Sequence, residues 1–161
     1  MSVPDPDLAA LPPGELLRLD HQVCFALHTT SRAFDALYRS LLRDLGLTYP
    51  QYLLMLALWE SDGPTVKELG ARLRLDSGTL SPLVKRMEAA GLVERRRGRS
   101  DERSVSVHLT GRGAALRERA AGLPLRIMEA TGLGVDELRT LHALLGRVTE
   151  RLDAAVASAS P

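Results

Sequence analysis

Apolar residues recur at spacings of three, four and seven from about Glu15 to Leu45, at Val23, Leu27, Phe34, Leu37, Leu41 and Leu45. This pattern predicts one long helix with a single apolar face. Gly46 stands where a helix end takes a left-handed residue. Thr48-Tyr49-Pro50 then opens a second helix, with Pro50 suited to its first turn. The run from Tyr52 to Trp59 is apolar almost all round, the pattern of a buried helix. Ser61-Asp62-Gly63-Pro64 closes it as a turn.

Thr65 with Glu68 spells a capping box before a short helix from Val66 to Leu73. Asp76 is placed to cap the next, from Ser77 to Ala90, which stops at Gly91. Two short helices on a tight turn make a helix-turn-helix, although this joint lacks the glycine often found there. Leu92 to Arg97 and Ser104 to Leu109 predict strands. In the second, Val105, Val107 and Leu109 alternate with Ser104, Ser106 and His108, as in a half-buried strand. Arg97 to Arg103 forms the polar hairpin tip between them. Thr110 is placed to cap a further helix to about Ala130, interrupted near Pro124 and broken by Gly132 and Gly134. Asp136 is expected to cap a last helix to about Ala157, with Leu138, Leu141, Leu144, Leu145, Val148 and Leu152 on one face.

The predicted fold is mainly α with a small β-hairpin wing. A winged helix-turn-helix over 48–110 sits between terminal helices over 15–47 and 111–161, all in one domain. The terminal helices carry more apolar surface than a small winged domain covers, which predicts pairing with a second chain. Residues 1–14, acidic and proline-rich, read as a flexible arm.

At 161 residues and 45 % apolar composition, the chain is long and apolar enough for a core. It has no apolar run of membrane-spanning length, and its start lacks the basic and apolar regions of a signal peptide. A cytoplasmic location is therefore expected. The net charge of +1 leaves nucleic-acid binding open, because a local patch decides it. From Lys85 to Arg103, seven basic residues (Lys85, Arg86, Arg95, Arg96, Arg97, Arg99, Arg103) stand against four acidic ones (Glu88, Glu94, Asp101, Glu102), a local +3. Beside a helix-turn-helix, this predicts DNA contact rather than a merely solvated hairpin.

On the helix from Ser77 to Ala90, Leu80, Leu83, Val84 and Met87 share a core-facing side. The other side carries Ser77, Gly78, Ser81, Pro82 and Lys85, with Thr79 and Arg86 beside them. Small groups there permit close approach to base edges and phosphates, and Lys85 and Arg86 add positive charge. Arg95, Arg97, Arg99 and Arg103 continue the charge along the hairpin. Arg103 is suited to a minor groove, and Asp101 is placed to hold its guanidinium. Four scattered histidines make no metal-ligand spacing, so neither metal nor other cofactor is expected. Glu60, Glu68 and Glu88 read as helix surface or caps, and no catalytic constellation marks an enzyme. Cys24, the single cysteine, excludes an intrachain disulfide.

The stretch LDSGTLSPLVKRMEAAGLVERRRGRSDERSVSVHLTGRG, Leu75 to Gly113, resembles the recognition helix and wing of the MarR family. The resemblance implies a homodimer on palindromic double-stranded DNA, with one recognition helix in each of two major grooves about one turn apart. It also implies that Arg103 is the wing arginine and Asp101 its partner.

Cys24 has two readings from position alone: a small buried hydrophobe or a reactive thiol, which needs a thiolate or hydrogen-bond donors at sulfur. His21 and His28 flank it on the same helical face. With a helix starting near Glu15, Cys24 lies too deep for the helix dipole to act. LDHQVCFALHTTSRAFDALY and LTYPQYLLMLALWE resemble the OhrR subfamily of organic-hydroperoxide sensors. There the cysteine is the peroxide-reactive residue and two tyrosines, here Tyr38 and Tyr49, hydrogen-bond to it. Tyr38 follows Cys24 by fourteen residues, about 21 Å along a helix, so any contact between them must cross from the partner subunit. The resemblance further implies a one-cysteine sensor, whose sulfenic acid is capped by a low-molecular-weight thiol. Release by a small phenolic or aromatic ligand, with Cys24 incidental, is the alternative.

Overall fold

The computed structural model describes residues 12–97 and 105–159 and divides the chain into two compact units, Met1–Ala120 and Ala121–Pro161. The first unit contains α1 (Pro13–Leu16), a 3-10 turn (Leu19–His21), α2 (Val23–Leu41), a second 3-10 turn (Arg43–Leu45), α3 (Tyr49–Glu60), α4 (Val66–Leu73), α5 (Ser77–Ala89), β1 (Val93–Arg97), β2 (Val105–Leu109) and α6 (Gly111–Ala120). The second contains α7 (Leu123–Thr131) and α8 (Val135–Ala159). The fold is a mainly helical winged helix, as expected.

The long first helix of the sequence reading is divided. Arg18 and Gln22 are extended, at ψ 137° and 108°, so α2 begins only at Val23. Side chains explain the break. His21 Nδ1 lies 2.9 Å from the Glu15 carbonyl, and the Gln22 amide donates to the carbonyls of Leu16 and Arg18. These contacts satisfy carbonyls that a continuous helix would have used. The far end stops at Leu41, and Gly46 takes the left-handed conformation at φ 68°.

Leu42, Leu54, Met55, Leu58, Leu69, Leu80, Val84, Met87, Val93 and Val107 are fully buried in the first unit. Each such side chain contributes about 1.5–3 kcal/mol of apolar burial. The core thus joins α3, α4, α5 and both strands. The capping box Thr65–Glu68 forms as expected: Glu68 Oε2 accepts from Thr65 N–H at 2.7 Å and Thr65 Oγ1 accepts from Glu68 N–H at 3.2 Å. Arg74, at φ 55°, fills the left-handed joint position where glycine is common.

β1 and β2 pair antiparallel, from Val93↔Leu109 to Arg97↔Val105. The outer edge of β2 is also covered. Gly63 N–H donates to Val107 O (3.1 Å), Val107 N–H donates to Pro64 O (2.9 Å), and Thr65 bridges to Ser106. Thr110 caps α6 through Gly113 N–H at 3.0 Å. Gly113 lies so close to the wing that a β-carbon there would stand 2.0 Å from the Leu92 carbonyl oxygen.

In the second unit, Pro124 occupies the first turn of α7 and Gly132, at φ 69°, ends it. The Asp136 cap is corrected. Asp136 lies inside the first turn of α8 and its carboxylate pairs with Arg139 at 3.0 Å. Glu137 instead reaches back to Gly134 N–H at 2.8 Å. Leu141, Leu144, Leu145, Val148 and Leu152 are exposed, while Leu138 is partly covered. No helix among the described residues is long and apolar enough to cross a membrane.

Candidate DNA interface and thiol site

Asp76 fixes the start of α5. Its Oδ1 accepts from Thr79 N–H and its Oδ2 from the Thr79 hydroxyl, both at 2.9 Å. These hydrogen bonds hold the carboxyl below its ordinary range. Leu80, Leu83, Val84 and Met87 turn inward and are buried, while Ser77, Gly78, Thr79, Ser81, Pro82, Lys85 and Arg86 are exposed. The whole side expected to face DNA is therefore free of the core. Thr79 is the exception in chemistry, because its hydroxyl is engaged by the cap. Pro82 does not end the helix, which continues to Ala89.

On the wing, Arg95 is held by Glu88 of α5: the guanidinium reaches Glu88 Oε2 at 2.6 and 2.8 Å, and Arg95 N–H donates to Oε1 at 3.0 Å. Bonding to Arg95 in turn holds the Glu88 carboxyl below its usual range. This bridge joins the recognition helix to β1 and occupies a cation expected to face phosphate. Arg96 pairs with Glu94. Lys85, Arg86 and Arg97 are exposed and have no ion pair among the described residues. The expectations for Arg99, Asp101 and Arg103 lie outside the described residues.

Cys24 is exposed and unpaired. It is the second residue of α2, not ten residues into a helix as expected, so it sits in the first turn, where the helix dipole acts. Gln22 supplies no side-chain cap there. Within the single chain the Cys24 sulfur is not part of the core and lies beside the exposed apolar residues Val23 and Phe25. Because α2 runs unbroken from Val23 to Leu41, Cys24 and Tyr38 stand near its opposite ends.

Tyr38 meets Tyr49, the first residue of α3, with ring centroids 4.3 Å apart and planes tilted by 32°. Tyr52 joins at 6.0 Å from Tyr38, and Trp59 lies edge-on to Tyr52 at 6.3 Å. Burial first, then the neighbouring phenols of Tyr49 and Tyr52, pushes the Tyr38 hydroxyl up to about 12. Burial also raises Tyr49, reinforced by Asp35, and Tyr52, reinforced by Tyr49. All three remain protonated hydrogen-bond donors at neutral pH. Sequence reasoning missed Tyr52; its i,i+3 spacing from Tyr49 was the available signal.

The sequence family described as "Transcriptional regulator SarA/Rot" matches residues 36–119. The HTH-type transcriptional regulator TtmR of Methylorubrum extorquens (strain PA1) is 49 % identical over 140 residues, covering 87 % of this chain and 72 % of the relative. The organic hydroperoxide resistance transcriptional regulator of Bacillus subtilis (strain 168) is 44 % identical over 136 residues, covering 84 % and 92 %. The chain belongs to the MarR-family transcriptional regulators of the SarA/Rot type. Its relatives are regulators, not enzymes. Among solved structures, AbfR of Staphylococcus epidermidis, reduced and bound to DNA, shares 34 % identity over 86 % of this regulator and 96 % of that chain, with a TM-score of 0.72. AbfR has also been solved overoxidised on DNA and with a disulfide formed. The MarR-family fold places the exposed side of α5 and the hairpin β1–β2 where regulators of this kind carry their winged helix-turn-helix.

Proposed function

We propose that the protein is a cytoplasmic, homodimeric repressor that binds a palindromic operator and leaves it when an organic hydroperoxide oxidises Cys24. The observation that carries this reading is the exposed, unpaired Cys24 in the first turn of α2 of a chain 44 % identical to an organic hydroperoxide resistance regulator. DNA contact is supported by the free side of α5 with Lys85 and Arg86, by Arg97 at the end of β1, and by a relative solved on DNA. Pairing is supported by exposed apolar residues on the terminal helices, Val23, Phe25 and Leu27 on α2 and Leu144, Val148 and Leu152 on α8. In this reading the winged helix-turn-helix spans 48–110, and Arg99, Arg103 and Asp101 add to its DNA contacts.

The Cys24 thiolate attacks the terminal peroxide oxygen. The O–O bond breaks, an alkoxide leaves and takes a proton, and the sulfur becomes a sulfenic acid. A low-molecular-weight thiol then displaces water to give a mixed disulfide. Tyr38 and Tyr49 of one subunit are the donors to the sulfur of its mate, because Tyr38 is about 21 Å from its own Cys24. The bulky adduct separates phenols from sulfur and shifts the two DNA-reading heads.

Intact mass spectrometry tests the chemistry. After treatment with an alkyl hydroperoxide and a small thiol, one thiol adduct per chain on Cys24 is expected, concurrent with operator release. Release without any change of mass supports the second reading, a phenolic or aromatic ligand. A cleft of about 240 Å³ lined by Asp35, Arg39, Leu47, Thr48, Tyr49 and Pro50 favours that reading as a place for such a ligand.

A further inference from the structure

Beside α6 lies a cleft of about 220 Å³ that neither DNA contact nor the thiol uses, bounded by the second 3-10 turn, the end of α5 and the start of β1. Most of its lining is apolar. Leu92 and Leu116 are buried, and Leu45, Ala90 and Ala115 join them.

Two arginines complete the lining, Arg112 and Arg119. They stand seven residues apart on α6, hence on one face and about 10 Å apart along its axis. Ala115 and Leu116 lie between them on that face. Each arginine is anchored by a carbonyl of a different wall. Arg112 Nη1 donates to Ala90 O at the end of α5, at 3.2 Å, and Arg119 Nη2 donates to Asp44 O in the 3-10 turn, at 2.6 Å. A guanidinium carries five N–H donors, so each keeps donors beyond that contact. Neither forms an ion pair among the described residues, and no residue lining the cleft carries a carboxylate.

An apolar trough with an unmatched cation at each end selects its occupant by charge. A neutral molecule would leave both guanidinium groups unmatched, and a monocarboxylate would match one. Guanidinium and carboxylate pair through parallel N–H···O bonds. At the roughly 30 Å³ that one water fills in the liquid, the cleft of about 220 Å³ holds about seven non-hydrogen atoms. That is room for a short methylene chain with a carboxylate at either end. The cleft beside Tyr49 differs, because it contains Asp35 as well as Arg39 and so offers no surplus positive charge.

We propose that the cleft beside α6 binds small linear dicarboxylates. Arg112 holds one carboxylate, Arg119 holds the other, and Leu92 and Leu116 cover the chain between them. The site is remote from the thiol of the same chain, since Cys24 and Leu41 are separated by about 26 Å of α2. The inference goes beyond the repressor reading and does not depend on it.

Amide NMR titrations of the free protein at constant ionic strength test this, with adipate as the probe. Saturable shifts centred on the Gly46, Leu92 and Ala115 amides are expected. Hexanoate, which lacks one carboxylate, should bind at least tenfold more weakly, the scale of a lost charge-assisted hydrogen-bonded pair. In Arg112→Gln and Arg119→Gln, whose amides can still donate to the carbonyls, adipate should fall to the affinity of hexanoate. Ala115→Leu keeps both arginines, fills the trough and should abolish binding. The comparison of adipate with hexanoate on wild type needs no variant to fold, and equal affinities there overturn the proposal. Adipate binding unchanged in either arginine variant overturns it too, as do shifts centred on Lys85 and Arg86. Because no operator is present, failure here leaves the repressor reading standing, and failure of that reading leaves this result standing.

Discussion

The rings of Tyr38 and Tyr49, from the end of α2 and the start of α3, lie 4.3 Å apart and tilted by 32°. Their contact ties the two helices at the point where the long first helix meets the winged domain. It also withdraws the Tyr38 phenol from water, which is why that hydroxyl is pushed up to about 12. A phenol raised in the folded state adds stability that is complete below its unfolded value of 10.0 and is lost as pH rises towards 12. Thermal melts should therefore fall steeply between those limits, and Tyr38→Phe should flatten that fall while keeping the ring contact. A melt of wild type that is level across this range would contradict the burial described.

The free side of α5 makes a distinction within the basic residues. Lys85→Ala and Arg86→Ala should each weaken operator binding and reduce the salt slope by about one. Arg95→Ala should change the slope less, because its guanidinium is already spent on Glu88. Salt-dependent binding isotherms of the three variants check this, and an equal loss in all three would show that the Glu88 bridge opens on DNA.

Gly113 supports the wing from behind. A β-carbon there meets the Leu92 carbonyl at 2.0 Å, and the Gly113 carbonyl accepts from Trp59 Nε1–H at 3.0 Å. Gly113→Ala must push α6 from β1 or strain both, and overpacking of this kind costs about 1–3 kcal/mol. Urea unfolding should show that loss at unchanged slope.

Much of the DNA-reading half was legible in the sequence, because its signals are local. Thr65 with Glu68 and Asp76 announce helix starts within four residues, and Leu80, Leu83, Val84 and Met87 state which side of α5 is buried. What escaped depends on contacts between positions whose pairing no period encodes. The apolar spacing runs on through Leu16, Leu19 and Val23, yet His21 and Gln22 side chains turn back on earlier carbonyls and delay α2, which moves Cys24 into a first turn. A charge count treats Arg95 as free, whereas only the fold brings Glu88 to it. Nothing in the local sequence explains the glycine inside α6 at Gly113, because its reason, the Leu92 carbonyl, is twenty-one residues away.

The central claim is that oxygen placed on one sulfur releases DNA. Operator binding should be titrated before and after an alkyl hydroperoxide, with a small thiol present, for wild type and for Cys24→Ser. Oxidation is expected to cut wild-type affinity by about a hundredfold, a coupling near 3 kcal/mol, and to leave Cys24→Ser bound. A Cys24→Ser protein that leaves its operator as readily as wild type would contradict the account.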